Sequence, residues 1–205
     1  DSQGRIDGGR ETTYRTLENR GLSVHYTVGK DGSVHQHEDP ETITTWHGGG
    51  GAGQGINGRS VGIEILNKWK ASSARPEERD RVIGDYINPP IEQHEATYRL
   101  IAMLVRKFPK LELQFHGSRQ NNFFFRIVPG QPKGITAHAQ YYAPKRDGSS
   151  TALYCAMRAR GYSESESYTY LKDALAAMSK NQAYFTLPPS RTPTFGTGTD
   201  STPQT

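Results

Sequence analysis

The residues with the most chemical promise are His138 and Asp147. His138 closes the short apolar stretch Gly134-Ile-Thr-Ala-His138, and Asp147 follows nine residues later in Ala143-Pro-Lys-Arg-Asp147. An imidazole at a strand end and a carboxylate in the next turn are nitrogen and oxygen donors of the kind Zn2+ takes. Lys145, two residues before Asp147, can present an ammonium to the same substrate carbonyl. Glu64 lies in the apolar run Ser60-Val-Gly-Ile-Glu-Ile-Leu66, where an ionised side chain is costly unless it has a task or a partner. The four together suit hydrolysis of an amide. A metal polarises the carbonyl, a carboxylate moves protons, and a cation steadies the oxyanion.

Each of these residues also has a plainer reading. A single His on a strand is commonly a satisfied core residue, Lys-Arg-Asp in a loop a solvated turn, and Glu64 a partner for a nearby cation such as Arg59. A catalytic zinc site also takes three protein ligands plus a water, and no histidine precedes His25. His25, on an expected core strand, is the best substitute for the missing donor, ahead of His47. His35 and His37 share one strand face and read more simply as two exposed polar residues than as a metal pair. His94 and His116 have no partner close in sequence. The glycine run from Gly48 lacks the Lys-Ser/Thr ending of a phosphate loop, so a cleft loop is preferred to a nucleotide site.

Bulk properties narrow the field. The 205 residues suffice for one domain with a real core, yet only 33% are apolar and 22 are Gly, so long loops should surround a modest sheet. No apolar run approaches the ~20 residues needed to span a bilayer. The net charge of +4 suits an anionic polymer as well as it suits an ordinary basic protein. No helix-turn-helix or RNA-binding signature accompanies the charge, so nucleic acid is not expected as a partner. The lone Cys155 excludes an internal disulfide and a multi-cysteine zinc site, and it reads as a buried thiol. A secreted, periplasmic or phage-borne setting fits better than a membrane-embedded one.

Patterning places the elements that must hold the candidates. A short helix is expected at Glu11–Asn19, a strand at Leu22–Val28, a tight turn at Lys30-Asp-Gly-Ser33 and a return strand at Ser33–His37. Ser60–Leu66 reads as a central strand and Ile135–His138 as another. Pro89-Pro90 opens a helix at Ile91–Phe108, whose Tyr98, Ile101, Leu104, Val105 and Phe108 should face the sheet. Phe123–Val128 suits a hairpin arm or cleft wall. Thr151–Arg160 and Glu164–Lys180 read as helices. Residues 1–185 form the expected domain, with Lys68–Pro90 and Gln114–Lys133 as insertions and the Pro/Thr/Gly-rich residues 186–205 as tail or linker. The class is α/β, a central mixed sheet flanked by helices.

The blocks Ser23-Val-His-Tyr, Lys30-Asp-Gly-Ser-Val, Thr45-Trp-His-Gly, Ser60-Val-Gly-Ile-Glu-Ile, Gly134-Ile-Thr-Ala-His and Ala143-Pro-Lys-Arg-Asp follow one another in this chain. Their order resembles the zinc-dependent N-acetylmuramoyl-L-alanine amidases, which share the fold of peptidoglycan recognition proteins and several phage lysins. The resemblance covers about residues 21 to 160. It implies zinc as cofactor, with His138 and Asp147 as second and third ligands and the first on an earlier strand upstream of Asp1. It implies Glu64 as the catalytic carboxylate and Lys145 as the group steadying the tetrahedral intermediate. Trp46 and His47 would line the substrate groove, while His25 matches a family histidine that is not usually a ligand. Val24 stands where some relatives carry a tyrosine, in keeping with the glutamate-type branch. Peptidoglycan or muropeptides are the implied substrate. A non-catalytic peptidoglycan binder, or a structural protein with a degenerate amidase domain, is the alternative.

Overall fold

The computed structural model describes residues 10–48, 55–67, 88–113, 134–137, 149–179 and 188–191. Helix α1 spans Arg10–Asn19, β1 Tyr26–Val28, β2 Val34–Gln36 and β3 Ile63–Ile65, with a 3-10 turn at Asn57–Arg59 before β3. Helices α2 (Ile91–Lys107), α3 (Ser149–Ala159) and α4 (Glu164–Ser179) follow. The described strands form one mixed sheet in the order β2-β1-β3. β1 runs antiparallel to β2 and parallel to β3, with Thr27 opposite both His35 and Glu64. The expected α/β class is therefore the observed one.

Local chemistry explains the hairpin. Asp31 Oδ1 accepts from Ser33 N–H at 3.0 Å and from the Ser33 hydroxyl at 2.6 Å, and those bonds hold its carboxyl below the usual pKa range. Gly32 takes φ +81°, where a Cβ would also approach the Glu92 carbonyl at 3.1 Å. The turn thus sets the register of β1 and β2 and touches the first turn of α2.

The sheet has two different faces, because side chains alternate along a strand. Tyr26 and Val28 are buried on one face against Leu100 and Leu104 of α2, with Val61 and Ile63 packed beside them. Thr27 and Glu64 lie on the other. Gln93, on α2 and fully buried, donates to the Val28 carbonyl at 2.8 Å and the Leu66 carbonyl at 3.2 Å. It thereby satisfies the two carbonyls where the parallel strands end.

Helix α2 was expected to press one stripe on the sheet, and its apolar residues are in fact divided. Leu100 and Leu104 join the sheet cluster. Ile101 is buried in a second cluster with Leu153, Tyr154, Cys155, Leu171 and Ala174, and Tyr98 and Val105 pack against it. The cause is a helical layer of α3 and α4 that covers the far side of α2. Glu95, nearly buried, fastens that layer. It accepts from Arg158 Nε at 2.9 Å, Arg158 Nη2 at 3.1 Å and Tyr154 Oη at 2.7 Å. Burial would raise its pKa, but Arg158 and the Tyr154 hydroxyl outweigh burial and hold it below the usual carboxylate range.

β1 begins later than expected but ends at Val28 as expected, while β2 and β3 are shorter than expected at both ends. Around Ile135 the chain makes a single bridge residue, and the expected strand there ends among residues outside the described set. The first residues of the expected tail run back onto the helices. Pro188 O accepts from Arg160 Nη1 at 2.7 Å, Pro189 O from Tyr162 Oη at 3.1 Å, and Arg191 pairs with Glu166 at 2.8 Å. Residues 68–87 of the expected Lys68–Pro90 insertion, most of the glycine loop and the whole expected Gln114–Lys133 insertion, with its Phe123–Val128 stretch, lie outside the described residues. No described helix is long and apolar enough to cross a membrane.

Candidate functional site

The sheet face turned away from α2 gathers the polar candidates. Glu64 stands on β3 directly beside Thr27 of β1, with His35 of β2 on the other side. Glu64 is half-buried, and Thr27 beneath it is buried at 2% exposure. The Thr27 hydroxyl lies 2.9 Å from His37 Nε2, and the His37 ring stacks on Tyr14 of α1 at 5.8 Å. The pair His35/His37 therefore does not stand as two exposed residues. His37 is engaged by two elements, because the chain leaves β2 and folds its ring over β1.

One residue outside the strand, His25 is almost wholly buried. Its Nε2 donates to the Ile43 carbonyl at 3.0 Å, and its Nδ1 accepts from the Gly62 N–H at 2.9 Å. Burial pushes its pKa down, against the opposing pull of the Ile43 bond. Both ring nitrogens are thus spoken for by backbone groups, and a metal at His25 would have to break one of those bonds.

Trp46 and His47 are presented by a strap that crosses the sheet end. Trp46 N–H donates to Ser23 Oγ at 2.9 Å and Ser23 N–H donates back to the Trp46 carbonyl at 3.2 Å. This leaves the indole 46% exposed on a fixed backbone. Such a surface is a rigid stacking platform of the kind found at recognition sites. Asn57 Oδ1 accepts from the backbone N–H of both His47 (3.0 Å) and Gly48 (2.7 Å), which ties the strap to the 3-10 turn. His47 packs its ring flat on Gly62, where a Cβ would come within 2.4 Å of His47 Cγ.

Thr45, Ser60 and Asn57 were not among the residues singled out by sequence, yet they hold this region together. The signal available was slight: three short polar residues flanking the Trp-His pair and the apolar run.

His138, Lys145 and Asp147 lie outside the described residues. Gly134, four residues before His138, takes φ 121° and Ala137 is buried at 6% exposure, so the chain approaching His138 runs into the core. In kind, an imidazole and a carboxylate suit Zn2+ as donors. Among the described residues no three His, Cys, Asp or Glu side chains converge as a metal-binding group.

The family model of N-acetylmuramoyl-L-alanine amidase matches residues 2–148. The match takes in α1, the sheet, α2 and both candidate ligands, and it ends before α3. No curated protein and no solved structure matches the chain.

Proposed function

The chain belongs to the N-acetylmuramoyl-L-alanine amidase family, and from that premise we propose that it hydrolyses the amide joining the lactyl group of N-acetylmuramic acid to L-alanine. His138 and Asp147 serve as two ligands of a Zn2+ ion whose third protein ligand is another imidazole. When bound, that ion supplies the Lewis acidity that polarises the scissile carbonyl. Glu64 takes a proton from the attacking water and returns it to the departing alanine nitrogen. Lys145 holds its ammonium against the oxyanion of the tetrahedral intermediate. Trp46 offers its exposed face to the glycopeptide.

The observation that carries this reading is the setting of Glu64. It sits half-buried on the polar face of the sheet, beside a buried threonine, within a stretch the family model covers. The family chemistry gives a carboxylate in that place proton-transfer work beside the scissile amide.

The test is release of free muramyl sugars and stem peptides from muropeptides by full-length protein, Glu64→Ala and His138→Ala. Both variants should lose at least about 100-fold in rate, and metal analysis should find about one zinc per chain in wild type and Glu64→Ala but little in His138→Ala. Equal release by wild type and both variants would reject the assignment.

A further inference from the structure

A chain of polar atoms runs from the core to the strand that carries Glu64, and its protons can be ordered one by one. The Ile43 carbonyl only accepts, so His25 Nε2 bears the proton given to it at 3.0 Å. The Gly62 N–H points at His25 Nδ1 at 2.9 Å, so that nitrogen bears none. Thr45 Oγ1 lies 2.9 Å from the same Nδ1 and must aim its single proton there, since two lone pairs would otherwise meet. Thr45 then has only acceptors left for His47. Its Oγ1 stands 2.8 Å and its carbonyl oxygen 3.1 Å from His47 Nδ1. Two acceptors facing one ring nitrogen call for a proton on it. Ser60 Oγ donates its one proton to the Ile56 carbonyl at 2.5 Å and stands 2.9 Å from the remaining His47 Nε2.

We propose that this one-way chain, His47 to Thr45 to His25 to the Ile43 carbonyl, keeps a proton on His47 Nδ1. Thr45 and Ser60 are positioning residues for the segment that carries Glu64. The mechanical link is Gly62, two residues before Glu64. Its N–H is held by the His25 ring, its carbonyl accepts from the amides of His25 at 3.0 Å and Tyr26 at 3.1 Å, and its open face is covered by the His47 ring. With both ring nitrogens committed inside the protein, His47 braces the cleft wall and the adjoining Trp46 meets substrate. The positioning half rests on the amidase reading given above; the tautomer half does not.

Long-range imidazole nitrogen–proton correlation spectra of the full chain at pH 7.5 read both halves apart from turnover. Wild type should show His25 with its proton on Nε2 and His47 with a proton on Nδ1. Thr45→Ser should keep both patterns, and so should Thr45→Val, because the backbone carbonyl of residue 45 still faces His47 Nδ1. Ser60→Ala carries the kinetic test if the buried valine variant does not fold. Muropeptide kinetics should then show kcat lowered about tenfold in Thr45→Val or Ser60→Ala with KM within about twofold, and near-normal kcat in Thr45→Ser, because misplacing a catalytic group by ~1 Å can cost up to about 100-fold. A wild-type His47 with no proton on Nδ1, or a His25 with its proton on Nδ1, overturns the chain. Unaltered kcat in folded Thr45→Val and Ser60→Ala overturns the positioning role. If wild type itself releases nothing, the amidase reading and the positioning role both fail, and the spectra still decide the chain.

Discussion

His94 should make the protein acid-sensitive in a way that a single substitution removes. The residue sits at the start of α2, wholly buried, with its ring stacked on Tyr154 at 5.1 Å and tilted against Tyr168 at 6.0 Å. Its Nε2 reaches Asn88 Oδ1 at 3.2 Å, while its buried Nδ1 has no hydrogen-bond partner among the described residues. Burial among these rings pushes its pKa from 6.5 down to about 3. The folded protein therefore keeps His94 neutral at pH 5, where the unfolded chain binds a proton there. Stability from this group is intact above about pH 6.5 and falls by ~1.4 kcal/mol for each pH unit below it, until the folded ring also charges near pH 3. Between pH 7.5 and 5 the loss is about 2 kcal/mol, or roughly 4–8 °C in Tm for a domain of this size. Urea unfolding of wild type and His94→Gln at both pH values isolates the term, because the other histidines contribute equally to both. The variant keeps a donor for Asn88 but has nothing to titrate. Parallel losses in the two proteins would refute the argument. So would a folded-state NMR titration of His94 centred near 6.5, a measurement that stands if the variant folds poorly.

Three other perturbations follow from packing and pairing. Gly62→Ala places a Cβ 2.4 Å from His47 Cγ and 2.7 Å from Nδ1, and a ring bound to a strapped backbone cannot swing clear. Thermal unfolding should show a loss of about 1–3 kcal/mol, with muropeptide release lowered as well. Glu95→Gln should cost on the order of 1–3 kcal/mol in denaturant unfolding, because it leaves the half-buried Arg158 charge without its carboxylate. Cys155 is fully buried, and burial first, then the nearby Glu95 charge, push its thiol pKa up. An aromatic disulfide reagent should label it only at the rate of opening of the α2–α3–α4 layer, and rapid labelling under native conditions would contradict that packing.

How much of this could be read from the chain depends on the range of the interaction. The β1–β2 hairpin was legible because Asp31, Gly32 and Ser33 settle the turn among themselves, and α2 because its period and its opening Pro90 are local features. What periodicity could not say is which neighbour each apolar position would meet. Leu104 and Ile101 occupy one expected stripe, yet one faces the sheet and the other faces α3 and α4, since a helix between two layers is covered on both sides. His94 had no partner near it in sequence and turned out to be wholly buried, because Tyr154 and Tyr168 come from 60 and 74 residues further on. The order of the motif blocks indicated that Glu64, Trp46 and His47 belong together. The parallel pairing of β1 with β3 brings Glu64 beside Thr27, and the strap from Ile43 to Gly48 carries Trp46 and His47 across the end of the sheet. The residues that join them, Thr45 to His25 across 20 positions and His25 to Gly62 across 37, carry no motif of their own. A hydroxyl that bonds two imidazoles looks, in one dimension, like any threonine in a polar loop. Its role exists only once the strap has closed over Gly62, and that closure sets how rigidly the Glu64 carboxylate is held.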